Sequence, residues 1–161
     1  MIIRRAEISD AAAIAGIYNW YIANTIITFE TEPVASEEME ARIIEKLKKH
    51  DWLVAEIANE IIGYAYYGAF RPRAAYGHTV EATIYLLPQY KGRGCGAQLY
   101  DELFRSAGER KFREVLAVIA LPNPESIRFH EKAGFTHAGV MRNIGCKFSR
   151  YIDVAILQKS I

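Results

Sequence analysis

Lys91-Gly92-Arg93-Gly94-Cys95-Gly96 follows directly on the β-rich run His78 to Leu87 and opens a helix that repeats Cys95, Leu99, Leu103 and Ala107 on one stripe. The unit reads as strand, glycine loop, helix. Backbone N–H groups at such a helix start are unpaired and point one way, and the helix dipole adds partial positive charge, so the loop is an anion cradle. No Gly-Lys-Ser/Thr follows for a nucleoside triphosphate loop. The unit also comes mid-chain, not after a first parallel strand with a ribose-binding acid downstream, which weakens the dinucleotide reading. By itself a Gly-x-Gly-x-Gly run also fits a flexible turn.

Outward from the loop, Val115 to Leu121 is a seven-residue apolar run, expected to be a strand buried on both faces. Asn123 is placed to cap a helix carrying Ile127, Phe129, His130 and Ala133, and Gly134 to end it in a left-handed conformation. Phe135 to Met141 and Lys147 to Leu157 read as two closing strands. Towards the N-terminus, Trp52 to Ile57 and Ile61 to Phe70 form a hairpin about Ala58-Asn59-Glu60. Before it, Ser36-Glu37-Glu38 opens a helix that Lys46, Lys48 and Lys49 close, in keeping with the dipole. Ile2, Ile3 and Ile8 frame a first strand, and Ser9 or Asp10 caps a helix bearing Ile14, Ile17, Tyr18 and Tyr21 that ends near Asn24. The order β, α, α, β, β, β, α, β, α, β, β predicts an α/β fold with a mixed sheet, antiparallel early and crossed over by helices late.

The chain has 161 residues, and no repeat or linker divides it, so one domain over residues 1–161 is expected. Lys+Arg 20 against Asp+Glu 19 leaves a charge of +1, which disfavours nucleic acid as a partner. Charged residues interrupt every apolar stretch short of a membrane span. Arg4, Arg5 and Glu7 break the apolar core that a signal peptide needs, so a cytoplasmic protein is expected. Cys95 and Cys146 are too few and too far apart for a disulfide framework, and His50, His78, His130 and His137 form no zinc spacing; no metal is expected.

Two segments carry a resemblance. Lys91 to Gly96 is similar to the pyrophosphate loop Gln/Arg-x-x-Gly-x-Gly/Ala of the GNAT superfamily of acetyl-CoA-dependent N-acetyltransferases, with Lys91 departing from the usual first residue; Gln89 offers an alternative register through Gly92 and Gly94. Asn123 to Phe135 resembles the superfamily's Asn-x-x-Ala/Ser-x-x-x-Tyr-x-x-x-Gly-Phe segment, with His130 in the tyrosine's place. A narrower likeness runs from Ile2 to Leu157 and points to the phosphinothricin and methionine sulfoximine acetyltransferases. It is carried by Ile17-Tyr18-Asn19, Phe70-Arg71-Pro72, His78-Thr79-Val80-Glu81, Ser126 to His130, and Gly145-Cys146-Lys147-Phe148 with Asp153. The resemblance implies a mostly antiparallel twisted sheet whose central strands splay around acetyl-CoA. It further implies transfer to the amine of a small amino acid or glutamate-like analogue, usually by a homodimer.

Acetyl transfer requires a deprotonated amine, a polarised thioester carbonyl and a proton for the departing thiolate. Glu81, at the start of the strand leading to the loop, is the candidate base; a solvated position or an ion pair is the alternative. A backbone N–H of Tyr85 or Leu86 is the candidate carbonyl donor if the strand bulges there. His130 is the candidate acid, against a histidine bonded to Glu131 or to backbone. The expected acetyl-CoA contacts are Ile84, Tyr85, Leu86, Lys91, Gly92, Arg93, Gly94, Cys95, Gly96, Ala97, Asn123 and Ser126, although Cys95 also fits a small core residue. Arg71 and Arg73 flank Pro72 and could fork onto an acidic acceptor; His78, Thr79, Val80, Phe29 and Glu30 are further candidates for the pocket wall. A non-catalytic acyl-CoA-binding module, or an enzyme acting on another amine, a protein lysine or a protein N-terminus, remain the competing readings.

Overall fold

The computed structural model describes residues 1–161. Seven strands form one sheet, β1 (Ile2–Arg5), β2 (Trp52–Ile57), β3 (Glu60–Ala69), β4 (Thr79–Leu86), β5 (Glu114–Ala120), β6 (Thr136–Lys147) and β7 (Arg150–Ser160), in the spatial order β1-β2-β3-β4-β5-β7-β6. All neighbours are antiparallel except β4 and β5. Four helices, α1 (Ala11–Asn24), α2 (Ser36–Leu47), α3 (Cys95–Glu109) and α4 (Pro124–Lys132), complete the fold. The order of elements is the one the sequence predicts.

Alternation along each strand separates two cores. On one face, α1 and α2 bury Ile14, Ile17, Met39 and Ile43 against Trp52, Val54, Tyr64 and Tyr85. On the other, Leu99, Leu103 and Ala107 of α3 meet Val80, Ala82, Val115, Ala117 and Leu157. Each fully buried aliphatic side chain of this kind contributes about 1.5–3 kcal/mol. β5 is buried on both faces as expected, Val115, Ala117 and Ile119 on the α3 side and Leu116 and Ala120 on the other, except at Val118, which is 42% exposed and borders an opening.

Local chemistry explains the other departures. Ile8 lies in a short 3₁₀ turn, Ile8–Asp10, outside β1. Asp10 precedes α1 but does not cap it; its carboxylate takes a bidentate contact from Arg4 at 2.7 and 2.9 Å and a hydrogen bond from the Glu7 N–H at 2.8 Å. The first hairpin turns on Ala58 and Asn59, both at positive φ as a tight two-residue turn requires, so Glu60 already belongs to β3. The last hairpin turns on Phe148 and Ser149, with φ of 51° and 57°. Lys147 thus ends β6 and does not begin β7. An irregularity between Met141 and Gly145, where the Asn143 N–H donates to Asp153 Oδ1 at 2.7 Å, lets β6 run on past the expected end.

Candidate active site

The parallel ladder between β4 and β5 has three rungs, Thr79↔Glu114, Val80↔Val115 and Glu81↔Leu116. Beyond Glu81 the strands part: β4 continues paired with β3 alone, and β5 with β7 alone. The resulting gap is a cavity of about 280 Å³ that brings Glu81, Thr83, Ile84 and Tyr85 together with Asn123, Ser126 and His130.

No bulge interrupts the β3–β4 register. The Leu87 N–H donates to the Ile62 carbonyl at 2.8 Å, and the Thr79 carbonyl accepts from the Phe70 N–H, which places the odd-numbered residues of β4 in hydrogen-bonded pairs with β3. Tyr85 therefore spends its amide on β3, and the expected bulge is corrected. The amides of Ile84 and Leu86 point away from β3, towards the side on which the gap opens beyond Glu81.

The glycine loop lies at the end of β4. Gly92 and Gly94 have φ of 73° and 81°, and a Cβ on either would meet nothing within 4 Å. Conformation, not crowding, thus calls for glycine there, while the space in front stays open. Gly94 precedes α3, its carbonyl already accepting from the Gln98 N–H, so the amides of Cys95, Gly96 and Ala97 form the unpaired first turn. Lys91 and Arg93 are exposed, with the Lys91 ammonium 5.0 Å above the Tyr21 ring and the Arg93 guanidinium 5.7 Å from that of Tyr90. The Cys95 side chain is buried in the α3 core, leaving only its backbone for a ligand. Gly96 serves packing: a Cβ there would lie 3.3 Å from the Phe129 ring and 3.4 Å from Leu86 Cδ1. The open cradle, its cationic rim and the parted strands fit a pyrophosphate followed by an extended acyl-thioester arm.

Asn123 caps α4 as expected, its Oδ1 accepting from the Ser126 N–H at 3.2 Å. His130 is 4% exposed, and its ring is wedged between α3 and α4. Its Nδ1 lies 2.8 Å from the Ser126 carbonyl, which can only accept, so Nδ1 carries the proton and Nε2 accepts from the Tyr100 hydroxyl at 2.9 Å. Burial holds the imidazole below its ordinary range, and it is neutral at physiological pH. His130 is therefore not an exposed imidazolium but one half of a buried pair with Tyr100, a partner the sequence reading missed. Glu131 pairs with His137 instead, at 3.0 Å.

Glu81 is half-buried, with no ion-pair partner within 4.0 Å. Burial raises its carboxyl above the usual carboxylate range, and the positive charge of Lys46 on α2 opposes that rise. Phe29 shares the gap with Glu81, whereas Glu30 is turned to Arg42, 2.6 Å away, and to Tyr18. Val80 is fully buried beneath α3, since alternation puts it on the face opposite Glu81; it is corrected from pocket wall to core. Thr79 is half-buried, and the exposed His78 offers its carbonyl to Arg113 and Glu114. Arg71, Pro72 and Arg73 are all exposed and line neither large cavity; Arg71 stacks on Phe70 at 5.1 Å.

Residues 3–156 match the family model described as acetyltransferase (GNAT) domain. A phosphinothricin N-acetyltransferase of Streptomyces viridochromogenes is 38% identical over 98% of this chain and 86% of its own. An L-methionine sulfoximine/L-methionine sulfone acetyltransferase of Pseudomonas paraeruginosa is 32% identical over 99% and 94%. Among solved structures, a ribosomal-protein-alanine N-acetyltransferase from Brucella melitensis superposes with a TM-score of 0.97 at 33% identity, covering all of both chains. A GNAT superfamily phosphinothricin acetyltransferase from Sinorhizobium meliloti in complex with AcCoA gives 0.95 at 35%, covering 99% of this chain and 88% of that one. The loop, the parted strands and these matches together make the chain a member of the GNAT acetyltransferase family.

Proposed function

We propose that the protein transfers the acetyl group of acetyl-CoA directly to the amine of a small amino acid or glutamate-like analogue, of the phosphinothricin, methionine sulfoximine or methionine sulfone type. The observation that carries this reading is a half-buried, unpaired carboxylate, Glu81, on the last rung before the gap that leads to the glycine loop. The two relatives above, whose names specify acceptors of this class, support it.

Acetyl-CoA supplies an activated acyl group on a good leaving sulfur. Cys95, Gly96 and Ala97 hold the diphosphate through their amides, with Lys91 and Arg93 beside it. The Ile84 and Leu86 amides stabilise negative charge developing on the carbonyl oxygen. Glu81 accepts the proton of the acceptor ammonium, directly or through water; the burial that raises its pKa makes it a stronger base than an exposed glutamate. The Tyr100 hydroxyl, positioned by His130 Nε2, passes its proton to the departing sulfur and regains one from the acceptor nitrogen as the amide forms. Cys95, enclosed in the core, takes no covalent part.

The reading extends to one N-acetyltransferase domain over residues 1–161, working in the cytoplasm as a homodimer. Exposed Val140, Met141, Ile144, Phe148 and Tyr151 on the C-terminal hairpin support a subunit contact, which light scattering of the purified protein tests. No helix is long and apolar enough to cross a membrane.

The test is thiol release from acetyl-CoA against methionine sulfoximine, methionine sulfone, phosphinothricin, common amino acids, polyamines, a lysine peptide and a peptide with N-terminal alanine. Turnover confined to the free amino acids or their analogues is expected. Turnover on the alanine peptide alone would favour a protein N-terminus, the second reading that the Brucella structure raises; binding without turnover on any acceptor would leave an acyl-CoA-binding module.

A further inference from the structure

Lys46 is a half-buried basic side chain near the site with no acid to answer it. Arg42, one turn earlier on α2, bonds Glu30 and Glu38, and Lys48 bonds Glu45. The Lys46 ammonium has no ion pair and no hydrogen-bond acceptor within the protein; it lies 5.2 Å above the Tyr66 ring. It is half-buried, and its pKa is lowered by that burial while Glu81 pulls it back up.

The position follows from a missing side chain. Gly68 on β3 is the register partner of Glu81 on β4, so the two share one face of the sheet. A Cβ on Gly68 would collide with Lys46 Nζ. The ammonium thus fills the slot where a residue opposite Glu81 would put its own side chain, yet it stays more than 4.0 Å from the carboxylate. A positive and a negative group thus lie on one side of the sheet without pairing, Glu81 bordering the gap of about 280 Å³ and Lys46 the cavity beside it. The same ammonium borders a cavity of about 600 Å³ that shares Tyr18 and Tyr66 with the gap and is also lined by Trp52, whose buried indole N–H has no acceptor.

We propose that Lys46 anchors the carboxylate of the acceptor, so that the site takes a free α-amino acid as its zwitterion, with the amine towards Glu81 and the carboxylate towards Lys46. The inference rests on Glu81 as the amine-facing group. It separates free amino acids from peptides, whose terminal amine has no carboxylate beside it. It also moves the anionic contact from the exposed Arg71 and Arg73 to a residue opposite the base.

Calorimetry with L-methionine sulfone, and with the amine left when its carboxylate is removed, tests this on the full-length protein. In Lys46→Met the amino acid should bind roughly ten- to a hundredfold more weakly, the range expected for one lost charge-assisted hydrogen bond, while the amine binds as to the unmodified protein. Gly68→Ala keeps the charge but displaces it, and should weaken the amino acid selectively too; Lys46→Arg should restore part of the affinity. Equal losses for both ligands, or none for either, overturn the proposal, as does unmodified protein that binds the amine as tightly as the amino acid. These are binding measurements, so a Glu81→Gln variant that kept its turnover would remove Glu81 as base and leave the Lys46 result standing.

Discussion

Glu81 and Leu116 form the last rung between β4 and β5, so the residue that ends the parallel ladder is also the one that presents a carboxylate to the opening. Glu81→Gln should lower kcat/KM by about a hundred- to ten-thousandfold while acetyl-CoA affinity stays unchanged. Because burial raises the Glu81 pKa, activity of the unmodified enzyme should fall on acidification at a pH above the ordinary glutamate range. A pH profile of kcat/KM checks both, and a variant with full turnover would remove Glu81 from the chemistry.

The same shift has a thermodynamic sign. A carboxyl whose pKa is higher folded than unfolded contributes stability below its unfolded pKa and loses it as pH rises through the folded one. Glu81→Gln should therefore melt higher than the unmodified protein at neutral pH, with the difference vanishing in acid. Thermal melts across that range measure it.

At Gly94, φ of 81° is the left-handed region, and any side chain there strains the turn by about 1–2 kcal/mol. Gly94→Ala should lower the melting temperature and weaken acetyl-CoA binding roughly tenfold by tilting the first amides of α3. Equal affinity in calorimetry would unseat the loop as the diphosphate cradle.

His130 works in the opposite direction to Glu81. Its pKa is lowered on folding, so its contribution is complete above the ordinary value of about 6.5 and drains away as pH falls below it. His130→Gln should flatten the acid limb of stability below the ordinary histidine value of about 6.5. An unchanged limb would mean that the ring protonates freely in the folded state.

Phe29 rests on Gly145, where any Cβ would run into its ring, and Lys147 holds the same loop by donating to the Thr28 carbonyl at 2.8 Å. Gly145→Ala should push Phe29 into the gap and raise KM for the acceptor several-fold, with KM for acetyl-CoA little changed. Equal rises in both would indicate a general distortion instead.

What the sequence revealed was local. The glycine loop, the Asn123 cap and the apolar stripe of α3 each follow from neighbours within a few residues, and all three are present. Glu81 stood out because it sits on the strand that feeds the loop, and the structure places it at the edge of the gap. Lys46 was read only as a charge suiting a helix dipole, since nothing in a linear pattern says that α2 will lay its last turn over a glycine of β3. Tyr100 was hidden for the same reason: its partner is thirty residues away on another helix. The β6–β7 turn escaped notice because Phe148-Ser149 carries neither glycine nor asparagine, the usual marks of its geometry. Arg71 and Arg73 are the converse case, in which suitable chemistry lies on an exposed loop outside both large cavities.

The open edge of β4 provides a reporter that needs no acceptor. With no strand beside them, the Ile84 and Leu86 amides should trade hydrogen for deuterium quickly in the free protein, in contrast to the paired amides of β3. Saturation with coenzyme A should slow that isotope uptake selectively, so that mass spectrometry follows occupancy of the gap even in variants that have lost all turnover.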